Sequence, residues 1–207
     1  MRMTSVRPLR PPPPTEPPAL HARAMDNLAF IRNTMEAAGS FTAVSGWGMV
    51  AVGVLAIVVA VIAAAQSTPI GSIRVWLISA FLLPLVMLAM MVQKARRAKM
   101  PLVSGPARKF VLSFSPPMIV GALLTLVMYR GGLVDAIPGM WLLLYGTAVV
   151  AGGAFSVQIV PVMGLCFMAA GAVALFAPVG FSQLIMGTAF GGLHIAFGIP
   201  IARRHGG

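Results

Sequence analysis

Apolar residues in this chain neither alternate nor recur at helical intervals; over most of its length they run on unbroken. Six such stretches lie at approximately 43–65, 73–94, 113–130, 138–155, 159–178 and 182–202. Each is near the roughly 20 residues a helix needs to cross the hydrocarbon of a bilayer. A helix apolar on every face is built for lipid or a very large core, and 207 residues offer no such core. The pattern predicts an all-α fold: a polytopic transmembrane helix bundle of about six spans.

Two segments precede the spans. Residues 1–24, MRMTSVRPLRPPPPTEPPALHARA, are crowded with proline, which continues neither helices nor ladders. They read as an extended, disordered tail, outside a transmembrane domain covering 25–207. Met25 is an alternative start for that domain. From Asp26 the pattern becomes amphipathic. Asp26 can cap a helix over 26–38 in which Leu28, Ile31, Met35 and Ala38 share a face, Arg32 pairs with Glu36, and Gly39 ends the run. An interfacial helix before the first span is expected.

Prolines refine the spans. Pro84 lies inside the second and is expected to kink it, whereas Pro116, Pro117, Pro138 and Pro161 fall near span starts, where a missing N–H costs little.

Composition supports lipid as the solvent. The chain is 58% hydrophobic and 9% charged, against about a quarter charged in soluble domains. Its net charge of +11 would suit a nucleic acid if it formed a folded basic stripe, but the basic residues flank the apolar runs, so no nucleic-acid partner is expected. With a cytoplasmic N-terminus, Arg2, Arg7, Arg10, Arg23, Arg32, Lys94, Arg96, Arg97, Lys99, Arg108, Lys109, Arg203 and Arg204 all face the cytoplasm. Only Arg74 and Arg130 face away, which is 13 against 2. That asymmetry predicts a bacterial inner-membrane protein with both termini cytoplasmic and an even number of spans. Lys94 through Lys109, with Arg203 and Arg204, form a membrane-surface basic set facing anionic headgroups. No secretory signal is visible.

The odd-numbered spans resemble one another around Gly53 (MVAVGVLAIVV), Gly121 (MIVGALLTLVM) and Gly171 (FMAAGAVALFA). The even-numbered spans echo one another too: WLISAFLLP from Trp76 matches WLLLYGTAVVAGG from Trp141, and the fourth and sixth share a Gly-Thr-Ala core, in YGTAVVAGG from Tyr145 and MGTAFGG from Met186. Three repeated helical hairpins would account for both echoes. Lipid supplies no hydrophobic drive between helices, so small residues must allow close backbone approach. Gly53, Gly121, Gly171 and the GxxxG pair Gly187 and Gly191 are the expected packing positions, and their faces offer a route to a homo-oligomer.

Chemistry is sparse. The only acid beyond the N-terminal segment is Asp135, in an expected external turn, so no carboxylate relay is predicted. Cys166, the single cysteine, reads as a small apolar filler. His194, midway along the sixth span, is the exception. A neutral imidazole bonded to a backbone or hydroxyl group is expected, with Tyr145, Gln158, Thr147 and Thr188 as candidate partners in a polar site within the membrane. No metal or cofactor is expected. The order of Ser156 on the fourth span and His194 on the sixth resembles intramembrane rhomboid proteases and would form a nucleophile–base dyad. The glycine-x-serine-glycine motif is missing, however, and Ser156 falls at a span end.

The stretches FIRNTMEAAGSFTAVSGWGM (Phe30–Met49), LLLYGTAVVAGGAFSVQIVPVMGLCFM (Leu142–Met168) and FGGLHIAFGIPIARRHGG (Phe190–Gly207) resemble a family of small bacterial six-helix membrane proteins without an assigned activity. The resemblance covers nearly everything after Met25 and implies a gene neighbourhood containing a winged-helix regulator. The repeated hairpins also resemble, more weakly, the HdeD-like acid-resistance membrane proteins. Neither supplies catalytic residues. The expected role is non-enzymatic: a membrane sensor, scaffold or stress-response component. The alternative is a small transporter or channel for a neutral or apolar solute, and the remote one is an intramembrane serine protease.

Overall fold

The computed structural model describes residues 20–38, 44–99, 104–178 and 180–205. Contacts divide the chain into two units, Met1–Ala37 and Ala38–Gly207. In the first, helix α1 (Leu20–Ala38) starts six residues before the expected Asp26 cap and runs through Met25. Leu20, Ala22, Arg23, Ala24 and Met25 are all strong helix formers, which explains the earlier start. Residues 20–24 are therefore helical rather than extended. The rest of the tail, the Arg32–Glu36 pair and Gly39 lie outside the described residues or side chains.

The second unit is a multi-pass, membrane-embedded helix bundle. Its helices are α2 (Gly46–Ala64), α3 (Pro69–Arg97), α4 (Gly105–Arg130), α5 (Ile137–Gly153) and α6 (Ile159–Phe176). The sixth span is built from α7 (Phe181–Thr188), a π-helical turn (Ala189–Leu193) and α8 (His194–His205). All six are long and apolar enough to cross a membrane.

The helix starts follow local capping. Ser45 and Thr68 each accept a backbone N–H through the side chain, from Gly48 and Gly71, both at 3.0 Å. Ser104 accepts from Ala107 at 3.2 Å, so α4 starts at Gly105 and not near residue 113. Pro116 and Pro117 therefore lie inside α4 rather than near its start. The hydropathy pattern missed these first turns because they carry Arg108 and Lys109. Pro84 is interior to α3 as expected, Pro138 opens α5, and Pro200 is interior to α8.

Neighbouring helices follow one another in the spatial order α3, α2, sixth span, α6, α5, α4. The most extensive contacts are α5 with α6, then α2 with the sixth span. Both pairs use one device. A methyl placed on Gly146 would come within 2.6 Å of the Gly164 carbonyl oxygen, and one on Gly164 within 2.7 Å of the Gly146 oxygen. Seven residues along each helix, Gly171 meets the Gly139 oxygen at 3.0 Å. In the other pair Gly53 meets the Gly191 oxygen at 2.8 Å, and Gly46 meets the Gly198 oxygen at 2.7 Å, again seven residues apart on each helix. A seven-residue spacing keeps both contacts on one seam of an antiparallel, left-handed pair. Gly187 extends the second seam against Ala60.

These pairs join helices from different hairpins, unlike the simple repeat expected from sequence. Gly53 and Gly171 do occupy corresponding seam positions. The Gly-Thr-Ala echoes do not: Gly146 opposes Gly164, whereas Gly187 opposes Ala60. Gly121 serves a third purpose, with the Trp141 ring lying 3.0 Å from a methyl placed there. The Trp141 indole also donates to Thr125 at 2.9 Å, tying α5 to α4. All five expected packing glycines are thus buried within the protomer.

Two polar bonds hold α3 to α2. Ser72 donates to the Ala63 carbonyl at 2.7 Å, and Lys94, at the other end of α3, donates to the Val44 carbonyl at 2.9 Å. Chain alternation then places Lys94, Arg96, Arg97, Lys99, Arg108, Lys109, Arg203 and Arg204 at one end of the bundle, with Arg74, Arg130 and Asp135 at the other.

Gly146→Leu forces apart backbones in contact and is expected to destabilise the bundle by about 1–3 kcal/mol. Gly192→Ala, with nothing within 4 Å, is expected to change stability by less than about 0.5 kcal/mol. Denaturant unfolding of both variants in the same detergent measures the contrast.

Candidate functional site

The sixth span is two short helices joined by a wider turn, and that turn sets the site. The π-helical stretch Ala189–Leu193 ends at His194, the first residue of α8. Single π turns inside α-helices are rare and concentrate at functional or strained positions. Here the turn brings the His194 imidazole back over its own helix, where Nδ1 lies 2.7 Å from the Phe190 carbonyl oxygen. Across the bundle Nε2 lies 2.8 Å from the Tyr145 hydroxyl on α5.

These partners fix the tautomer. A carbonyl oxygen only accepts, so Nδ1 carries the proton and donates to Phe190. Nε2 is then the acceptor, and the Tyr145 O–H donates to it. Both ring nitrogens are thereby satisfied, as a polar group at membrane depth requires. His194 retains only 5% of its surface exposed.

Around this pair stands a shell of rings. Tyr145 lies 4.9 Å from Phe167 and 4.9 Å from Phe190, centroid to centroid, and Phe167 lies 5.3 Å from the imidazole. Phe114 of α4 meets Tyr145 edge-on at 5.9 Å, and Trp76 of α3 meets Phe190 at 5.9 Å. The edge-to-face geometries fit ring quadrupoles, which add about 0.5–1.5 kcal/mol per pair beyond burial. Rings from α3, α4, α5, α6 and the sixth span thus meet at one hub. The hub also joins the two glycine seams, since His194 and Phe190 lie on one and Tyr145 and Phe167 on the other.

Of the residues selected from sequence, the structure brings together His194 and Tyr145. Thr147 and Thr188 are exposed and donate to carbonyls of their own helices, Leu143 and Leu184, each at 2.9 Å. Gln158 is exposed at the start of α6. Ser156 lies beyond the end of α5, and about 12 Å of helix separates Tyr145 from Gly153 alone, so Ser156 and His194 do not meet as a dyad. Cys166 is half-buried. Among the described residues no three His, Cys, Asp or Glu side chains cluster.

Sequence reading missed Phe167, Phe190, Phe114 and Trp76. Phe190 stands four residues before His194, the spacing that places a carbonyl under an imidazole; the other three come from distant segments and leave no local signal. Two buried polar atoms have no partner among the described residues: Trp76 Nε1, beside the hub, and Gln183 Oε1 on α7.

Removing the Tyr145 hydroxyl strands Nε2 in an apolar shell. Tyr145→Phe is expected to cost about 1–3 kcal/mol. Tyr145→Phe combined with His194→Leu is expected to cost less than the sum of the two single changes, because neither polar group is then left unpaired. A double-mutant cycle on unfolding in detergent gives the coupling.

No family model, curated protein or solved structure matches the chain.

Proposed function

We propose that this is a non-enzymatic protein of a bacterial cytoplasmic membrane, with both termini in the cytoplasm, acting as a membrane sensor, scaffold or stress-response component. The observation that carries this reading is how His194 is used. A titratable side chain at membrane depth ordinarily marks a path, a relay or a catalytic centre. Here both nitrogens are bonded, to Phe190 and Tyr145, and the ring is enclosed by Phe167 and Phe190. The group holds helices in register instead of meeting a solute. A carrier built on His194, Tyr145 and Gln158 would need them along a hydrated cavity, whereas Gln158 lies at the bundle end. A serine nucleophile would need the Nε2 that Tyr145 occupies.

The orientation rests on the eight basic side chains at one end, against Arg74 and Arg130 at the other. A fluorescent protein fused to either terminus is expected to be bright, and alkaline phosphatase inserted beside Asp135 to be active. The reverse pattern would invert the orientation.

Deleting the gene is expected to lower survival under acid and membrane-disrupting stress, with rescue by the wild-type chain and by Ser156→Ala. Unaltered survival, accompanied by altered uptake of a neutral solute, would favour the carrier instead.

A further inference from the structure

The unit Ala38–Gly207 carries ten basic residues and one acid, Asp135. Eight of the ten are gathered at one end of the bundle, and Asp135 lies at the other. Within this unit no Asp or Glu side chain lies at that end. In a membrane a dense source of counter-charge for such an end is the phosphate layer.

One place at that end sets an apolar helix face directly below two arginines. An open groove of about 620 Å³ runs along the outer face of α3. Its floor is apolar, with Leu85, Leu88 and Val92 spaced three to four residues apart along one helix face. Its mouth is polar, formed by Gln93, Arg96 and Arg97. Arg96 and Arg97 are exposed. From Leu85 to Arg97 the helix advances about 18 Å, close to the ~15 Å of hydrocarbon in one leaflet. α3 itself spans roughly 44 Å, enough to carry the arginines out of the hydrocarbon into the headgroup layer. The second open groove, around Phe176 and Phe181, is lined without any charged residue and lacks this polarity.

We propose that the α3 groove is a binding site for an anionic diacyl phospholipid in the leaflet that meets the basic end. Arg96 and Arg97 flank the phosphate. Adjacent arginines leave the helix about 100° apart, and their long, flexible stems must bend back to bring two planar forks of donors to the oxygens of one phosphate. The Gln93 amide, one turn below Arg97, donates to a glycerol ester carbonyl. An acyl chain lies along Leu85, Leu88 and Val92. Discrimination between lipids comes from net headgroup charge, since a zwitterionic headgroup brings its own cation against the guanidinium pair. The assignment is independent of the functional role proposed above.

The test is native mass spectrometry of the full chain, released from nanodiscs containing equal amounts of phosphatidylglycerol and phosphatidylethanolamine. The wild-type protein is expected to retain one phosphatidylglycerol in about tenfold preference. Arg96→Gln with Arg97→Gln is expected to abolish that preference, and Leu88→Trp, which fills the groove floor, to reduce it several-fold. Arg203→Gln with Arg204→Gln removes the same charge from the same end outside the groove and is expected to leave the preference unchanged. All five positions are exposed, and a matched unfolding midpoint in detergent identifies variants that fold normally. Equal loss in both double variants would mean diffuse attraction and would overturn the site. So would equal retention of the two lipids by wild type, or displacement of bound phosphatidylglycerol by millimolar inorganic phosphate.

Discussion

A polypeptide in lipid has no hydrophobic effect to press its helices together, because hydrocarbon solvates a leucine face as well as a neighbouring helix does. What remains is interhelical hydrogen bonding and dispersion at very short range, and the latter is greatest where the backbones themselves touch. The two glycine seams supply that contact. Gly146 with Gly164 and Gly139 with Gly171 lock α5 to α6; Gly53 with Gly191 and Gly46 with Gly198 lock α2 to the sixth span. Each seam is two contacts seven residues apart, so each specifies register as well as proximity. A shift by one residue would put a side chain such as Val54 or Thr147 where only a hydrogen fits.

The aromatic hub is the consequence of bringing these seams side by side. Small residues let backbones close in, but they leave little to fill the space between one pair and the next. Phe167, Phe190, Tyr145, Phe114 and Trp76 fill it, and the His194–Tyr145 bond gives the packing a direction that rings alone lack. The π turn before His194 belongs to the same arrangement, carrying Gly191 onto the α2 seam while aiming the imidazole at α5. Dense packing and complete pairing of both imidazole nitrogens are what one expects of a structural hub. The long outer faces of α3 and α4, by contrast, are left to the lipid.

Much of this was legible in the chain. Five of the six apolar runs locate their spans to within a few residues, because hydrocarbon imposes a characteristic length. The misplacement of α4 has a clear cause: Arg108 and Lys109 end the apolar run, while Ser104 and Pro106 carry the capping signal that the helix obeys. His194 stood out because a histidine in such a run is costly, and Tyr145 was recoverable as one of few hydroxyls at similar depth. The seam partners were not legible. Each of the five expected glycines does pack, yet GxxxG at Gly187 and Gly191 suggested a surface for a second copy, and only the fold shows α2 already occupying it. The hairpin echoes misled for a related reason: similar apolar strings satisfy lipid equally well in different pairings.

The register of α2 against the sixth span decides whether this account holds. Paired cysteines at Ala60→Cys and Gly187→Cys, in a background with Cys166→Ala, place two Cβ atoms in direct contact across that seam. Mild oxidation of intact membranes should convert this pair to an intrachain disulfide, while Ala56→Cys with Gly187→Cys, one turn away, should stay reduced. A disulfide that forms between two chains, or forms equally well at position 56, would contradict the seam and the hub built upon it.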